Sequence, residues 1–414
     1  MAPDADGRGT VSALTPLVTH RERVLAAARP LAVETLAVTE SAGSTLASAA
    51  IARLDIPSFD NSAMDGFAVR YDEVVGASEA TPVRLRVVAD VAAGSASDPT
   101  LGPGEAARIM TGAPVPTAAD AIVPFEDTAG GLAASMLEAT VVRAPGRRGA
   151  HIRRTAEDLA NGDIALDAGT PLGALQLSAL VAAGITEVSV ARRPRVAVFS
   201  TGAELAMPGT VPAPGQIPDS NSMLLAGLVT ESAGVVVARR SLGDDPDELL
   251  RAIADVDADV IVTSGGVSAG AYEPVRQALD GAIAFDRIAM QPGKPQGFGV
   301  LPSGALFFGL PGNPVSVAVS FEMFVRPALM TMQHRARIDR PRVTLPAAAA
   351  WRPSRGRTQI LPIAFDGAGV RPATLGGSRS HLVGGLGRAE GYAIVPQSVE
   401  SVSAGDPVDV MLVS

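Results

Sequence analysis

The spacing of apolar residues changes character several times along the chain. Residues 19–33, THRERVLAAARPLAV, have helical spacing. From about Asp55, short alternating runs of apolar and polar residues, bounded by Gly and Pro, predict a β domain. From Arg193 onwards, strands alternate with helices, which predicts a mostly parallel sheet covered on both faces. Beyond about Arg340, short strands return and predict a small C-terminal β-barrel or sandwich.

Three of the predicted strands end in segments of small and hydroxyl-bearing residues. RVAVFS leads into residues 200–204, ADVIVT into residues 264–270, and ALFFG into residues 310–314, which read LPGNP. Open parallel sheets bind ligands outside the carboxyl ends of their strands. Exposed backbone N–H groups in such turns, and at the N-terminus of the helix that Pro314 begins, suit phosphates or an oxyanion. One such turn alone is read as a rigid connector, but three at one edge predict an anion or nucleotide site.

Carboxylates follow two of the predicted strands at the same edge. Glu204 is either a Mg²⁺ ligand beside the phosphates or a solvated residue at a helix start, where the helix dipole favours an acid. Asp244 and Asp245 precede Pro246, and at least one of them is expected to cap the helix that begins there. The pattern leaves both readings open for Glu204.

Composition narrows the classes of function. The chain has 414 residues, enough for two to four domains, and a net charge of −9, which argues against general nucleic-acid binding but allows a small anionic ligand. The absence of cysteine excludes disulfides, thiolate metal sites and cysteine nucleophiles. Four histidines without metal-ligand spacing argue against zinc, so any metal is expected to be a hard cation. Neither a Walker A motif nor GxGxxG occurs.

Location is predicted from two absences in the sequence. The first dozen residues lack the basic-then-apolar pattern of a signal peptide. No apolar run is expected to approach the length that spans a membrane. We therefore expect a cytoplasmic protein with a flexible N-terminus.

Six segments occur in one order: DNSAMDGFAVR, RIMTGAPVP, STGAEL, SGGVSAG, PGKPQGFG and GLPGNPVS. Together they resemble the molybdopterin molybdenumtransferase family, MoeA and the E domain of gephyrin, from about Ala13 to the C-terminus. The resemblance implies insertion of molybdate into adenylylated molybdopterin, with release of AMP and dependence on Mg²⁺. It also implies an elongated homodimer whose active site lies between subunits, and partners such as a MogA/MoaB-type adenylyltransferase and molybdoenzyme-maturation proteins.

The same resemblance implies four domains after a flexible stretch at 1–12. The first is discontinuous and comprises about 13–54 and 155–190. A β domain, 55–154, is inserted into it. A MoaB/MogA-like α/β domain at 191–340 and a C-terminal β-barrel at 341–414 complete the chain.

Site residues follow from the resemblance, position by position. The expected catalytic residues are Asp65, Thr111, Glu204, Asp244 and Lys294. The expected metal ligands are Glu204, Asp244 and Glu273. The expected substrate-binding residues are Arg153, Asp158, Ser200, Thr201, Gly202, Ser264, Gly265, Gly266, Ser268, Pro311, Gly312, Asn313 and Pro314.

Roles are implied for some of these residues. Lys294 and Arg153 would offset the charge of the anionic substrates. Asp65 and Thr111, from the partner subunit's β domain, would complete the cleft. Without the resemblance, Asp65 reads as a turn acid and Thr111 as a strand-end hydroxyl.

Two positions depart from the family pattern. Ala271 stands where many members carry an aspartate, so either Glu273 compensates or the metal site is arranged differently. Gln291 stands where some members are basic, which either weakens anion binding or marks a subgroup that balances the charge elsewhere. The alternatives in function are pterin adenylylation with ATP, tungstate insertion, and a non-catalytic scaffold like that of gephyrin.

Overall fold

The computed structural model describes residues 14–134, 136–268, 270, 273–374 and 382–413. Its first segment supplies one helix and three short strands: α1 (Leu17–Ala27), β1 (Val33–Ala37), β2 (Thr45–Leu46) and β3 (Ala50–Ile51). The predicted helix at 19–33 is too long. The observed helix ends at Ala27, because Arg29 precedes Pro30 and the chain at Ala28 is already extended.

The next segment forms an inserted β domain. Its elements are β4 (Asn61–Ser62), β5 (Gly66–Val69), α2 (Tyr71–Val74), β6 (Val83–Val91), β7 (Glu105–Ile109), β8 (Ala121–Pro124), β9 (Thr128–Ala129) and β10 (Glu138–Val141). Six of the strands make one sheet in the order β8-β5-β7-β6-β10-β9. Its core includes Phe67 and Phe125, whose rings meet edge to face at 5.2 Å. Phe67 is supplied by β5 and Phe125 by the turn after β8.

The chain then returns to the first segment. The elements here are β11 (Ile152–Arg153), β12 (Ile164–Leu166), α3 (Ala174–Ala182) and β13 (Glu187–Ala191). β13 lies between β1 and β2, and β12 pairs with β3. Leu46, Leu172, Leu180 and Val188 share one buried cluster, so residues from both sides of the inserted domain form a common core.

An α/β domain follows. Its elements are β14 (Arg195–Thr201), β15 (Leu205–Ala206), β16 (Ile217–Pro218), α4 (Ser220–Glu231), β17 (Val235–Leu242), α5 (Pro246–Ala254), β18 (Val260–Ser264), α6 (Pro274–Leu279), β19 (Ala284–Arg287), β20 (Met290–Gln291), β21 (Pro295–Val300), β22 (Leu306–Leu310), α7 (Pro314–Ser320) and α8 (Arg326–Met332), the last two joined by a π-helical turn at Phe321–Val325. The main sheet has the order β17-β14-β18-β22-β21-β19.

This sheet confirms the predicted fold class. β17, β14, β18 and β22 are parallel, whereas β21 and β19 are antiparallel to their neighbours. Val196 and Val198 face one buried cluster and Ala197 and Phe199 face another, so both faces of the sheet are covered. A sheet buried on both faces leaves its carboxyl edge as the place where polar groups can gather.

The C-terminal segment folds into a small, nearly closed barrel. Its strands are β23 (Arg342–Pro346), β24 (Thr358–Asp366), β25 (Gly369–Pro372), β26 (Gly391–Val395) and β27 (Pro407–Leu412). The order is β25-β24-β26-β27-β23, and a bridge between Ala347 and Val370 brings the two ends together. β20 of the α/β domain pairs with β24, so the barrel is joined to the edge of the site.

One sequence-based expectation about apolar length was wrong. The continuous helix at Pro314–Met332 is long and apolar enough, by length and composition, to cross a membrane. It is the one such helix in the described part of the chain, and 89% of its window is buried inside the protein. This helix therefore packs as a core helix beneath the sheet.

Candidate functional site

One cavity of about 760 Å³ opens at the carboxyl edge of the main sheet. Thr201 ends β14, Gly265 follows β18 and Gly312 lies in the turn after β22, so the three predicted turns meet there. The cavity is lined by most of the site residues expected from sequence: Thr201, Gly202, Glu204, Asp244, Ser264, Gly265, Gly266, Ser268, Glu273, Lys294, Pro311, Gly312, Asn313 and Pro314.

The glycines allow these turns to touch. Gly265 has a φ of +96°, and a Cβ there would lie 2.6 Å from the carbonyl oxygen of Thr201. A Cβ on Gly312 would lie 3.4 Å from the Cα of Gly265. A side chain at 265 is excluded by both backbone conformation and space, so the close approach of the three turns depends on glycine.

Charge is graded across the cavity in the order of the strands. Asp244 follows β17 and Glu204 follows β14, at one end of the sheet. The glycine turns after β18 and β22 lie in the middle. Lys294 precedes β21, at the far end, because that strand runs antiparallel to its neighbour. The arrangement presents carboxylates, then small backbone turns, then a cation, to whatever occupies the cavity.

The acidic end contains more than the two predicted carboxylates. Asp219 is 1% exposed, and it accepts hydrogen bonds from the backbone N–H of Ser222 at 3.0 Å and from the hydroxyl of Ser241 at 2.6 Å. It therefore serves as the N-cap of α4. Asp245 caps α5 by accepting from the N–H of Asp247, as expected, and this leaves Asp244 to line the cavity.

Glu204 does not begin a helix, so that reading of the sequence was wrong. It is exposed in a turn that leads into the two-residue strand β15. Its carboxylate folds back over Gly202, where an added Cβ would lie 2.5 Å from Oε2. A glycine with φ of +150° thus makes room for the acid at the mouth of the cavity.

The carboxylate of Glu273 accepts hydrogen bonds from the loop that precedes it. Its two carboxylate oxygens accept from the backbone N–H groups of Ser268, at 2.8 Å, and Gly270, at 3.1 Å. Among the described residues, no group of three or more His, Cys, Asp or Glu side chains is placed to hold a metal ion. Glu273 therefore braces a turn, and its expected role as a metal ligand stays a prediction. Ala271, the position that raised the question, lies outside the described residues.

Lys294 is the only lysine in the sequence, although Lys and Arg together number 34. Desolvation, and then the charges of Arg287 and Arg357, lower the pKa of its ammonium below the ordinary value. A chain that uses arginine almost everywhere else thus places one compact ammonium in this cavity.

Arg357 was missed by sequence reasoning. It comes from the C-terminal segment, lines the cavity, and donates a 2.6 Å hydrogen bond to the side-chain oxygen of Gln291. β20 and β24 pair next to these residues and bring them together across 66 positions of sequence. No local motif marks this contact, since it depends on how two domains join.

Asn221 was also missed. It is 8% exposed at the start of α4, and its Nδ2 donates to the carbonyl oxygen of Gly312 at 2.7 Å. It thereby ties the Pro-Gly-Asn-Pro turn to the helix that Asp219 caps. The helix-capping sequence DSN at 219–221 was the available signal.

The remaining predicted residues do not line this cavity. Ser200 is fully buried behind it and accepts a 3.1 Å hydrogen bond from Ser264. Arg153 and Asp158 are exposed in the chain that returns from the β domain. Asp65 and Thr111 lie together on the β domain itself.

Asp65 and Thr111 form an exposed pair. Oδ1 of Asp65 accepts from the backbone N–H of Thr111 at 2.6 Å and from its hydroxyl at 2.7 Å. These two bonds, chiefly the one from the backbone, together with the charge of Arg108, lower the pKa of Asp65. The carboxylate is thus held ionised and oriented at the protein surface.

Comparison with known proteins gives a consistent result over almost the whole chain. A family described as the MoeA N-terminal region (domain I and II) matches residues 15–184, a probable molybdopterin binding domain matches 197–331, and the MoeA C-terminal region (domain IV) matches 344–413. Molybdopterin molybdenumtransferase 2 of Mycobacterium tuberculosis is 42% identical over 408 residues, covering 95% of this chain and 98% of its own. Molybdopterin molybdenumtransferase 1 of the same organism is 35% identical, covering 94% and 97%.

Comparison with solved structures gives the same family as the sequence comparisons. A molybdopterin biosynthesis MoeA protein from Pyrococcus horikoshii superimposes with a TM-score of 0.76 at 33% identity, covering 97% of this chain and 99% of that one. A second structure of a MoeA protein from P. horikoshii OT3 gives a TM-score of 0.80 at 26% identity, covering 97% and 100%.

Proposed function

Since this chain belongs to the MoeA family, we propose that it is a molybdenumtransferase that inserts molybdenum into molybdopterin during molybdenum cofactor biosynthesis. The family matches and the names of its relatives support the reaction class. We infer further that molybdate enters adenylylated molybdopterin and that AMP is released. The single observation that supports this reaction is the graded charge of the 760 Å³ cavity.

The middle and far end of the cavity suit the two anions of this reaction. The tight turns at Gly265, Gly266 and Gly312 bring the backbone close to the ligand, which suits phosphate oxygens. Lys294 and Arg357 supply positive charge at the opposite end from the acids, where a tetrahedral oxyanion would sit. Separate positions for phosphate and molybdate would hold the two reactants in a fixed orientation relative to each other.

The acidic end fits Mg²⁺. Glu204 and Asp244 offer the oxygen ligands that this cation takes, and phosphate oxygens and water would complete its coordination. Bound there, Mg²⁺ would neutralise phosphate charge. Two protein carboxylates are enough for such a role, because Mg²⁺ is commonly bound by one or two carboxylates plus substrate phosphates.

We further propose that the protein works as a homodimer in which the Asp65–Thr111 pair faces the partner's cavity. The pair does not line the cavity of its own chain, yet its carboxylate is ionised, oriented and exposed. An acid fixed by two hydrogen bonds is suited to position a ligand group across a subunit boundary.

The test combines purified protein, adenylylated molybdopterin, Mg²⁺ and molybdate, with AMP and pterin-bound molybdenum as readouts. AMP release that requires molybdate supports insertion. Formation of adenylylated pterin from ATP and molybdopterin would instead indicate the adenylyltransferase. If the folded protein catalyses neither reaction, the result would favour the hypothesis of a non-catalytic scaffold.

A further inference from the structure

The turn that carries Lys294, residues 291–295, rests on a buried amide. Gln296 is the second residue of β21, directly after this lysine turn, and is 1% exposed. Its Nε2 donates to the carbonyl oxygen of Gly293 at 2.7 Å and to the hydroxyl oxygen of Ser320 at 2.7 Å. Both hydrogens of the amide are therefore used.

The lysine turn is closely packed at this point. Gly293 has a φ of +98°, and a Cβ there would lie 2.9 Å from Oγ of Ser320 and 3.0 Å from Cε of Met290. The next carbonyl, that of Lys294, accepts from the backbone N–H of Ile288 at 2.7 Å. Consecutive carbonyls on either side of the Gly293–Lys294 bond are thus tied down, one of them by a side chain.

Ser320 connects this turn to the neighbouring Pro-Gly-Asn-Pro turn in the middle of the cavity. It is fully buried and is the last residue of α7, which begins at Pro314 in the Pro-Gly-Asn-Pro turn. Gln296 therefore links the turn that presents the cation to the helix that begins in the Pro-Gly-Asn-Pro turn. A shift of either element would be transmitted through one side chain.

We propose that Gln296 and Ser320 are positioning residues that hold Lys294 in place for the anion. The inference deepens the proposed function, since it assumes that Lys294 binds an anionic substrate. Neither residue lines the cavity, so both act through the lysine turn. Desolvation, and then the charges of Arg287 and Arg357, lower the pKa of Lys294, so a change in its surroundings should change that pKa.

A matched control exists elsewhere in the fold. Gln333 is likewise 1% exposed, and its Nε2 also donates to two oxygens, the carbonyls of Ser232 at 2.8 Å and Leu329 at 3.0 Å. It does not line the cavity. Gln333→Met and Gln296→Met each remove a buried amide and keep its approximate volume. Only Gln296→Met should alter the pKa of Lys294.

The single lysine makes the position of Lys294 directly observable. Reductive methylation with ¹³C-formaldehyde gives one lysine signal besides that of the N-terminus, and its titration by NMR reports the pKa of residue 294. In Gln296→Met we expect this pKa to rise towards the ordinary value, because the loosened ammonium gains water and moves from Arg287 and Arg357. Ser320→Ala, which should fold more readily, is expected to shift it in the same direction.

Unmodified protein gives the second readout. Calorimetric titration with molybdate should show binding weakened about tenfold or more in Gln296→Met, since small misplacements of a binding group are costly. In a Lys294→Met background, Gln296→Met should cause no further loss. Additive losses there would mean that Gln296 acts independently of Lys294.

Two results would overturn the proposal. One is a wild-type titration of Lys294 in both Gln296→Met and Ser320→Ala. The other is an equal change in Gln333→Met, which would reveal a general effect of losing a buried amide. The NMR measurement needs no turnover, so it decides the positioning role even if the protein fails to transfer molybdenum.

Discussion

Arg357 donates a 2.6 Å hydrogen bond to Gln291, and through this contact the C-terminal barrel contributes a cation to the cavity of the α/β domain. Gln291 stands where some family members carry a basic residue. We infer from this contact that Arg357, from a different domain, supplies the positive charge, as in the second of the two alternatives given for Gln291.

We therefore expect Arg357→Gln to raise the KM for molybdate about tenfold or more, because a cation facing the oxyanion is lost. Gln291→Leu should have a smaller effect, since it releases the guanidinium without removing it. Steady-state AMP release at varied molybdate separates the two. Arg355→Gln, an exposed arginine nearby in sequence that does not line the cavity, is the control. Equal effects at 355 and 357 would contradict the assignment.

Glu204→Gln is expected to lower molybdate-dependent AMP release by about 10²-fold while leaving the fold intact, because the carboxylate is exposed and acts on charge. The loss should be largest at low Mg²⁺, which is measured by titrating Mg²⁺ in the assay. Glu79→Gln changes an exposed acid of the β domain and should behave as wild type. Normal turnover and Mg²⁺ dependence in Glu204→Gln would remove this residue from the site.

Glycine substitutions can separate backbone strain from crowding. Gly265 and Gly304 have φ of +96° and +89°, but an added Cβ meets Thr201 at 2.6 Å in the first case and nothing within 4 Å in the second. Gly304→Ala should cost about 1 kcal/mol of unfolding free energy. Gly265→Ala should cost more, by about 1–3 kcal/mol, and should also lower turnover. Denaturant unfolding measures both; equal costs would argue that the turns do not touch.

Stability should depend on pH through His20. Its ring is 1% exposed and meets Phe324 edge to face at 4.7 Å. Burial, and then the charge of Arg23, lower its pKa from 6.5 to about 4, although Asp286 acts in the opposite sense. The unfolded chain binds the proton more readily, so the contribution to stability is complete above pH 6.5 and is lost as pH falls towards 4.

Urea unfolding at pH 4.5 and pH 7 tests this expectation. The difference between the two should shrink in His20→Asn and persist in His151→Asn, whose histidine is exposed. Asparagine is suitable at 151 because it tolerates the positive φ of 59° found there. An unchanged difference in His20→Asn would assign the pH dependence to other groups.

The dimer arrangement is tested by mixing two inactive variants. Asp65→Ala and Glu204→Ala homodimers should both be inactive. Randomly mixed dimers should recover roughly a quarter of wild-type activity, because half of the dimers carry one complete site. Lack of recovery in verified mixed dimers would mean that both residues serve one chain.

Much of the fold and part of the site could be predicted because they are local. The turns at 200–204, 264–270 and 310–314 can be recognised from their Gly, Pro and Ser residues. The parallel topology of the sheet then brings them together. Lys294 and Asp244 were found from the family resemblance. Helix α1 was predicted too long because helical spacing outweighed Pro30.

What escaped prediction depends on distant contacts. Arg357 lines the cavity because β20 pairs with β24 of another domain. Gln296 lies behind the cavity and holds the lysine turn and Ser320 through buried hydrogen bonds, and neither residue leaves a periodic signal. The structural role of Glu273 was also missed. Its oxygens accept from the backbone of its own loop, while its role as a metal ligand stays a prediction.

The most direct measurement is anomalous diffraction at the molybdenum edge from crystals soaked in molybdate. The account predicts a molybdenum peak in the cavity beside Nζ of Lys294 and the guanidinium of Arg357, and loss of that peak in Arg357→Gln. A peak at the carboxylates Glu204 and Asp244, or on another face of the molecule, would contradict it.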